Sequence, residues 1–371
     1  MRNNQTSKMT ALAFAASLVL SACGGGGGGN STAAAPATAA SAAAPVTDPN
    51  TNIAPQTSVA APTYSTTSAQ SAMFLALNSY RSNVGVGMVS QNVNLDTAAQ
   101  AHSQYEQINV NSGAETALGH TENSANTGFY EATPYQRSVK AGSAVDLWVG
   151  EDVDADISVA GVQATDGATC MQTWLNTVYH LQGATANQTS VGLGYVAPVS
   201  KTAPLYYCVA DFGVISTPAP ASASSFNSIA YDGGQQIPVG TVAHAPFAGE
   251  TGVQLAMHVE TPNPAPDIAT PGRPIMVRVN EQLANKLTVD TFQLTDPSGA
   301  VVSARIIVPS ASLSGSVAGA TADVNSELES GVAFLLPLAP LKANTVYTVT
   351  FAGKRDGVAV ASTWQFTTAA Q

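Results

Sequence analysis

Histidine and carboxylate side chains cluster in one long segment of the chain that shows little regular pattern. His120, Glu122, Arg137 and Glu151 lie between residues 111 and 166, which are rich in Gly, Asn and Thr. Long irregular segments inside a domain are usually functional or disordered. Neutral imidazole and carboxylate groups are zinc ligands, and a zinc ion with an open position lowers the pKa of its bound water. These residue types therefore predict a binding site, with metal-assisted hydrolysis as the chemistry that they could support.

Three predicted helices flank this irregular segment in the sequence. Met171, Trp174, Leu175 and Val178 recur at helical spacing, so they place one apolar face against a core, and His180 falls at the C-terminal end of this helix. Apolar spacing also predicts helices over 68–82, ended by Gly85, and over 95–108. His102 lies on the buried stripe of the latter helix, where a histidine is more often a hydrogen-bonded core residue than a ligand.

Several short motifs stand in a fixed order along residues 69–215. They are Leu77-Asn-Ser-Tyr-Arg81, the segment 95–102, Gly119-His120, Gly150-Glu151, the segment 174–180, Val191-Gly-Leu-Gly-Tyr195 and the segment 208–213. No single one is specific, but together they resemble the CAP superfamily, the cysteine-rich secretory protein and pathogenesis-related-1 fold, in its bacterial branch. The resemblance implies an α/β fold, an α-β-α sandwich, for this part of the chain.

The resemblance also implies a central cleft formed by two histidines and acidic residues. The matching positions are His120, Glu151 and His180, and Glu122 is the candidate for a fourth ligand. Many eukaryotic members add a glutamate from the Trp helix, where this chain has Asn176 and Thr177. Two imidazoles and one carboxylate form a zinc-competent set with an open position. The alternative is that the same residues, without metal, bond to one another and hold two loops on the core.

The first 22 residues have the pattern of a secretory signal: a positive start, an apolar run of about ten residues and a small-residue cleavage site. Cys23 after the cut resembles a lipobox cysteine, which implies acylation and, with Gly24 following it, the outer membrane of a Gram-negative cell. The alternatives are a transmembrane anchor or a cytosolic N-terminus. Residues 23–68 are rich in Gly, Ala, Ser, Thr and Pro, which predicts a disordered tether.

The remaining cysteines predict a disulfide. With Cys23 acylated, Cys170 and Cys208 are the only thiols left in an exported domain, so we expect them to pair; two buried free thiols are the alternative. The acidic run 151–156 invites comparison with an EF-hand calcium loop. Ile157 and Gln163 occupy positions where such a loop needs Gly and Glu, so the run is predicted to be a solvated acidic loop.

After a Pro/Ala/Ser-rich linker over 216–230, the rest of the chain, 231–371, predicts an all-β domain. Alternating segments at 275–279, 301–306, 332–336, 345–351 and 362–368 are separated by turn signals, which indicates an antiparallel sandwich. Tyr347 is a candidate tyrosine corner. The pattern resembles bacterial Ig-like domains, which usually space or brace a neighbour.

The chain has 371 residues and carries 13 Lys plus Arg against 24 Asp plus Glu, for a formal net charge of −11, so nucleic acid is a poor partner. The sequence lacks the HExxH spacing of many metallopeptidases and the GxSxG nucleophile elbow. We therefore expect a surface lipoprotein whose CAP domain binds a lipid-like, peptide or protein ligand in a His/Glu cleft, with an Ig-like spacer. The alternative is a metal-dependent cell-envelope hydrolase that uses His120, Glu151 and His180, with zinc as the candidate metal.

Overall fold

The structure is a computed structural model that describes residues 52–159, 161–200, 202–215, 233–282 and 285–370. The predictions for the signal, for Cys23, for the first part of the tether and for the linker lie outside the described residues. The helices are α1 Ala69–Val84, α2 Val93–Ser112, α3 Pro134–Lys140, α4 Gln163–Leu175, α5 Tyr179–Ala184 and α6 Ser310–Leu313. The strands of the first half are β1 Asn52–Ile53, β2 Ser90–Gln91, β3 Leu147–Ile157, β4 Ser190–Val196 and β5 Leu205–Ile215.

The second half contains the remaining strands of the described residues. They are β6 Gly234–Gln235, β7 Ala243–Ala245, β8 Ile275–Arg278, β9 Leu287–Thr295, β10 Ala304–Val308, β11 Ala320–Ala322, β12 Val332–Pro337, β13 Val346–Arg355 and β14 Val358–Thr367. Helices and strands thus both contribute to the fold, as the α/β prediction requires.

A four-stranded sheet with the order β2-β4-β5-β3 forms the centre of the first half. Successive side chains of a strand face opposite sides of a sheet. On β5, Cys208 and Ala210 join the apolar core that contains α1 and α4, whereas Val209 packs with Ala99 of α2 and Val153 of β3. The sheet therefore lies between two helical layers, and β3 is its edge strand.

The predicted helices form, with one correction. Helix α1 starts at Ser68, whose side chain accepts a hydrogen bond from the backbone N–H of Ser71, and ends at Gly85 with φ 87°. The helix with Trp174 stops at Leu175, so His180 lies in the separate short helix α5. The reason is local: the Thr177 hydroxyl bonds to the carbonyl of Trp174, and such side chains compete with the helical ladder.

Two predicted irregular segments are ordered parts of the fold. The acidic run lies within β3, which pairs antiparallel with β5 along its whole length, and Glu151 and Asp152 are each 5% exposed. The prediction of a solvated acidic loop is therefore wrong. The tether prediction is also wrong for residues 52–68, because β1 pairs with β6 and the Tyr64 hydroxyl donates to Asp96.

Two sheets pack face to face in the second half. Their strand orders are β11-β10-β12-β8-β7 and β14-β13-β9, and a shared apolar cluster includes Val277 and Leu335 from one sheet and Phe351 from the other. The predicted strands are present, but β7, β9 and β11 were not predicted, and β10 pairs with β11 in parallel. The Tyr347 hydroxyl accepts the backbone N–H of Lys342 at 2.9 Å, which is the bond expected of a tyrosine corner.

The two halves share an apolar core. Trp174 and Leu181 belong to the same buried cluster as Met276 and Phe334, and all the described residues fall in one compact unit. The division at 216–230 stays a prediction, and the parts on either side of it are packed together. The predicted disulfide between Cys170 of α4 and Cys208 of β5 is confirmed. In the part of the chain that the structure describes, no helix combines the length and apolar character needed to cross a membrane.

Candidate functional site

A cavity of about 310 Å³ opens beside the edge strand β3, and both halves of the chain form its walls. His120, Glu151 and His180 all line it, so the structure brings the three predicted site residues to one place. The rest of the first-half lining comes from residues 119, 121, 150, 152, 179, 182, 183 and 212. The second half contributes residues 261, 262, 327 and 329. Glu122 is not part of the lining.

Glu151 is held in a dense set of partners on the α2 side of the sheet. Its Oε1 lies 3.0 Å from Nδ1 of His120, and its Oε2 accepts from Nη2 of Arg137 at 2.6 Å. Arg137 also donates to the backbone carbonyl of His120. Helix α3, which starts with Pro134 behind the cap Thr133, presents the fully buried guanidinium to this point. The ion pair of Arg137 with Glu151, together with the hydrogen bond from Arg137 to His120, thus fixes the loop that contains His120 to the sheet.

The protonation of Glu151 follows from this environment. Burial opposes its ionisation, but Arg137, His102 and His120 outweigh burial and hold its pKa well below the ordinary range. Asp211 lies directly opposite Glu151 in the β3–β5 register. Burial and the charge of Glu151 raise the pKa of Asp211 well above its usual value. Of these two carboxyls, Glu151 therefore carries the charge and Asp211 the proton.

Glu122 belongs to a buried network behind the cavity. Its Oε1 lies 3.0 Å from Nδ1 of His102, and its Oε2 accepts from the backbone N–H of Tyr130 at 2.6 Å. The other ring nitrogen of His102 faces the carbonyl of Gly119 at 2.9 Å. The prediction that Glu122 is a fourth ligand in the cavity is therefore wrong, because its carboxylate holds the loop over 119–130 in place. The prediction that His102 is a hydrogen-bonded core residue is confirmed.

The α5 side of the cavity contains a second cluster, which joins the halves. Glu260 accepts from the backbone N–H of Val178 at 2.7 Å and of Tyr179 at 3.0 Å, and it lies 3.2 Å from Nδ1 of His180. Burial lowers the pKa of His180, but the hydrogen bond to Glu260 and the charges of Asp152 and Glu260 outweigh it and raise that pKa to about 9. His180 is therefore a cation at neutral pH.

Asp152 lies beside this cluster on the α5 side of the sheet. Its Oδ2 is buried and accepts no hydrogen bond from any described residue. Burial, with smaller contributions from Glu260 and Glu151, raises the pKa of Asp152 to about 7, although His180 acts in the opposite direction. Asp152 can therefore change its charge near neutral pH.

The second-half wall is tied to α5 through Gln182. Its side-chain amide donates to the carbonyl of Glu327 and accepts from the backbone N–H of Glu329, both at 2.9 Å. Arg278 donates to the carboxylate of Glu329 at 2.9 Å and to the carbonyl of Gln182 at 2.7 Å. These bonds fix the wall opposite β3.

The three predicted metal ligands do not form a ready zinc set. They are divided between two pairs, His120 with Glu151 and His180 with Glu260, and Arg137 occupies the second oxygen of Glu151. No group of three or more His, Cys, Asp or Glu among the residues that the structure describes is arranged to hold a metal ion. The residues present do not fit the predicted zinc ion, and we derive no chemical step through it.

Glu260 is the site residue that sequence reasoning missed most completely. It precedes a Pro-rich segment and lies 80 positions from His180, so no local pattern connects the two. Asp152 was hidden by its place in an acidic run. The signal that could have found it is the alternation of apolar residues at 147, 149 and 153, which indicates a strand. Comparison with models of known protein families and with curated proteins gave no match to this chain.

Proposed function

We propose that the protein is an extracytoplasmic binding protein that takes a small ligand into the cavity between β3 and the second half. The observation that carries this proposal is a cavity of about 310 Å³ on which ionisable side chains from both halves converge. Ligand sites are typically pockets of this kind, with a few polar groups fixed among apolar ones, and they occur preferentially where two parts of a protein meet. A volume near the lower end of the usual range suits a ligand about as large as one or two amino-acid residues.

The N-terminal pattern supports a membrane-anchored form of this binding protein. We propose that residues 1–22 are removed and that acylated Cys23 holds the mature chain at the outer membrane. Replacement of Cys23 by Ala should move the protein from the membrane fraction to the soluble extracytoplasmic fraction. Unchanged membrane association of Cys23→Ala would contradict the lipid anchor.

The CAP and Ig-like assignments are part of the same proposal. For residues 69–215, the support is the order of the motifs and a sheet packed between helices. For residues 231–371, it is the pair of packed sheets and the Tyr347 bond. In this proposal the Ig-like part does more than space its neighbour, because it supplies Glu260 and one wall of the cavity.

The zinc-dependent hydrolase suggested by the sequence is the weaker candidate. A zinc ion at His120 and Glu151 would have to replace their hydrogen bond and compete with Arg137 for the carboxylate. Zinc titration of the mature protein distinguishes the two proposals. Binding that is lost in both His120→Ala and His180→Ala, together with turnover of peptide or ester substrates, would favour the hydrolase.

The binding function itself is tested by native mass spectrometry. The mature protein is incubated with the low-molecular-mass fraction of a bacterial cell-envelope extract, and retained ligand is read as added mass. Gly119→Phe is the matched control, because Gly119 lines the cavity and a Cβ there meets no atom within 4 Å. We expect added mass on the wild-type protein and its loss in Gly119→Phe. Equal adducts on both proteins, or none on either, would contradict the proposed function.

A further inference from the structure

The cavity lining is predominantly acidic, with His180 as a cation at neutral pH. Four carboxylate residues line the cavity, Glu151, Asp152, Glu327 and Glu329, and none of the residues in this lining is a lysine or an arginine. Two of the carboxylates form ion pairs with arginines outside the lining, Glu151 with Arg137 and Glu329 with Arg278. The charges of Glu151 and Glu329 are therefore largely neutralised by groups of the protein itself.

Asp152 differs from these matched carboxylates. The residue is 5% exposed and lines the cavity, and its buried Oδ2 accepts no hydrogen bond from the described residues. A buried carboxylate without a donor costs free energy, so a ligand that donates to it gains affinity. Oδ2 itself has almost no exposed surface, so a ligand in the cavity reaches this carboxylate through Oδ1, the oxygen beside Gly183 of the lining.

We propose that the ligand of this cavity carries a primary alkylammonium group that donates to the carboxylate of Asp152 through Oδ1. The inference rests on the proposed binding function and names its ligand class. An ammonium is a compact charge with three donors, whereas a guanidinium offers a planar fork that matches two open carboxylate oxygens. Oδ2 of Asp152 has almost no exposed surface, which leaves Oδ1, 3.2 Å from where a Cβ on Gly183 would stand, as the oxygen open to a ligand. One open oxygen favours the compact charge.

The remaining lining residues indicate the chemistry of the rest of the ligand. Phe212 and Pro262 are apolar, and the glycines at 119, 150 and 183 add backbone surface without side chains. A short aliphatic chain fits such walls, because apolar surface gains free energy when it leaves water. A lysine side chain has this combination of an aliphatic stem and an ammonium end, either in a peptide or as a small amine.

Ammonium binding should depend on pH through Asp152. His180, Glu260 and Glu151 act on the charge of Asp152, and the cavity lining adds the titratable groups His120, Tyr179, Glu327 and Glu329. Burial raises the pKa of Asp152 to about 7, so its carboxyl binds a proton at lower pH and is ionised at higher pH. The ammonium needs the ionised form. Affinity should therefore rise as pH increases through about 7.

Calorimetric titration of the mature protein with Nα-acetyl-lysine methylamide tests this inference. The matched ligands are the norleucine counterpart, which keeps the aliphatic chain without the charge, and the arginine counterpart. At about pH 8 we expect the lysine compound to bind at least roughly tenfold more tightly than either. At about pH 5.5 its affinity should be roughly 10- to 30-fold lower, as expected for a carboxyl that titrates near 7. n-Pentylamine distinguishes the source of the ammonium: similar binding indicates a free amine, and weaker binding indicates a lysine residue.

The variants assign the effect to one carboxyl. Asp152→Asn keeps the shape and removes the charge, so it should lose roughly tenfold or more in affinity for the lysine compound and lose the pH dependence. Asp267→Asn is the control, because Asp267 pairs with Arg305 on the surface, away from the cavity lining. The proposal fails if the lysine compound does not bind the folded wild-type protein, if the norleucine compound binds equally well, or if Asp152→Asn binds unchanged. Envelope-derived adducts that Gly119→Phe abolishes would then leave the binding function standing with an uncharged ligand.

Discussion

Glu151 and Asp152 are neighbours on β3, yet their side chains face opposite sides of the sheet and meet different surroundings. On the α2 side, Glu151 is bonded to both Arg137 and His120, and its pKa is lowered. On the α5 side, Asp152 has a buried oxygen that accepts no hydrogen bond from the described residues, and its pKa is raised to about 7. Both are buried to the same extent.

The difference shows that burial alone does not decide the charge of a carboxyl. A buried guanidinium keeps Glu151 ionised, and the nearest cation to Asp152, His180, is bonded to Glu260 instead. We infer that the α2 side is scaffold, with its charges matched within the protein, and that the α5 side is available to a ligand. Variants on the two sides should therefore differ in their effect on stability.

The largest effect should come from the scaffold side. Arg137→Ala leaves the carboxylate of Glu151 buried without its cation, and loss of one partner of such a pair typically costs about 3–5 kcal/mol. The free energy of unfolding from urea titration at neutral pH measures this loss. Lys140→Ala is the control on the same helix, because its pair with Glu131 is partly exposed and should contribute less than about 1 kcal/mol. Equal losses in the two variants would contradict a scaffold role for Arg137.

A smaller effect should come from the link between the halves. Glu260→Gln removes the charge that faces His180 and weakens the hydrogen bonds to Val178 and Tyr179, so we expect a loss of about 2 kcal/mol near pH 6. Because the pKa of His180 is raised to about 9, its contribution is fully present below the ordinary value of 6.5 and disappears as pH rises through about 9.

Urea titrations of wild type and Glu260→Gln across this pH range check the sign. The difference between the two proteins should shrink between about pH 7 and about pH 10. Glu131→Gln is the matched control, since its ion pair with Lys140 is partly exposed and should give a small, flat difference. A Glu260→Gln difference that grows with pH would exclude the His180–Glu260 pair as its source.

The smallest effect, and the one of opposite sign, should come from the ligand side. The folded pKa of Asp152 is raised above the ordinary 3.8, so ionisation of this carboxyl disfavours the folded state as pH rises from about 4 to about 7. Asp152→Asn should therefore be more stable than wild type by about 1 kcal/mol or more at pH 8, with a smaller gain at pH 4.5. Thermal unfolding at both pH values measures the gain, and the surface variant Asp267→Asn should show none. A destabilised Asp152→Asn at pH 8 would assign Asp152 to the scaffold.

Much of the local structure could be predicted from the sequence. The helical spacing of Phe74, Leu77 and Tyr80 and the glycine at 85 predict α1, and the alternating segments of the second half predict most of its strands, because one buried face leaves a clear period. The prediction of a solvated loop over the acidic run was wrong, because the charges of Glu151 and Asp152 hide the pattern of a buried strand. The groups that surround these two carboxyls in the fold are distant in the sequence.

The candidate site was predictable only in part. His120, Glu151 and His180 do line one cavity, but their partners come from elsewhere in the chain: Arg137 from α3, and Glu260 from the second half. Ion pairs between residues 80 positions apart depend on how the halves pack, and composition carries no trace of that packing. The same reason explains why the shared core around Trp174 and Met276 was not predicted.

Carboxyl ¹³C NMR titration of Glu151 and Asp152 in the ligand-free protein tests the central comparison most directly. Spectra of Glu151→Gln and Asp152→Asn assign the two signals, and the titration runs from about pH 5 to about pH 9. We expect the Asp152 signal to shift with a midpoint near 7 while the Glu151 signal stays at its ionised position throughout. Asp152 ionised at pH 5, or Glu151 titrating within this range, would contradict the division of β3 into a scaffold side and a ligand side.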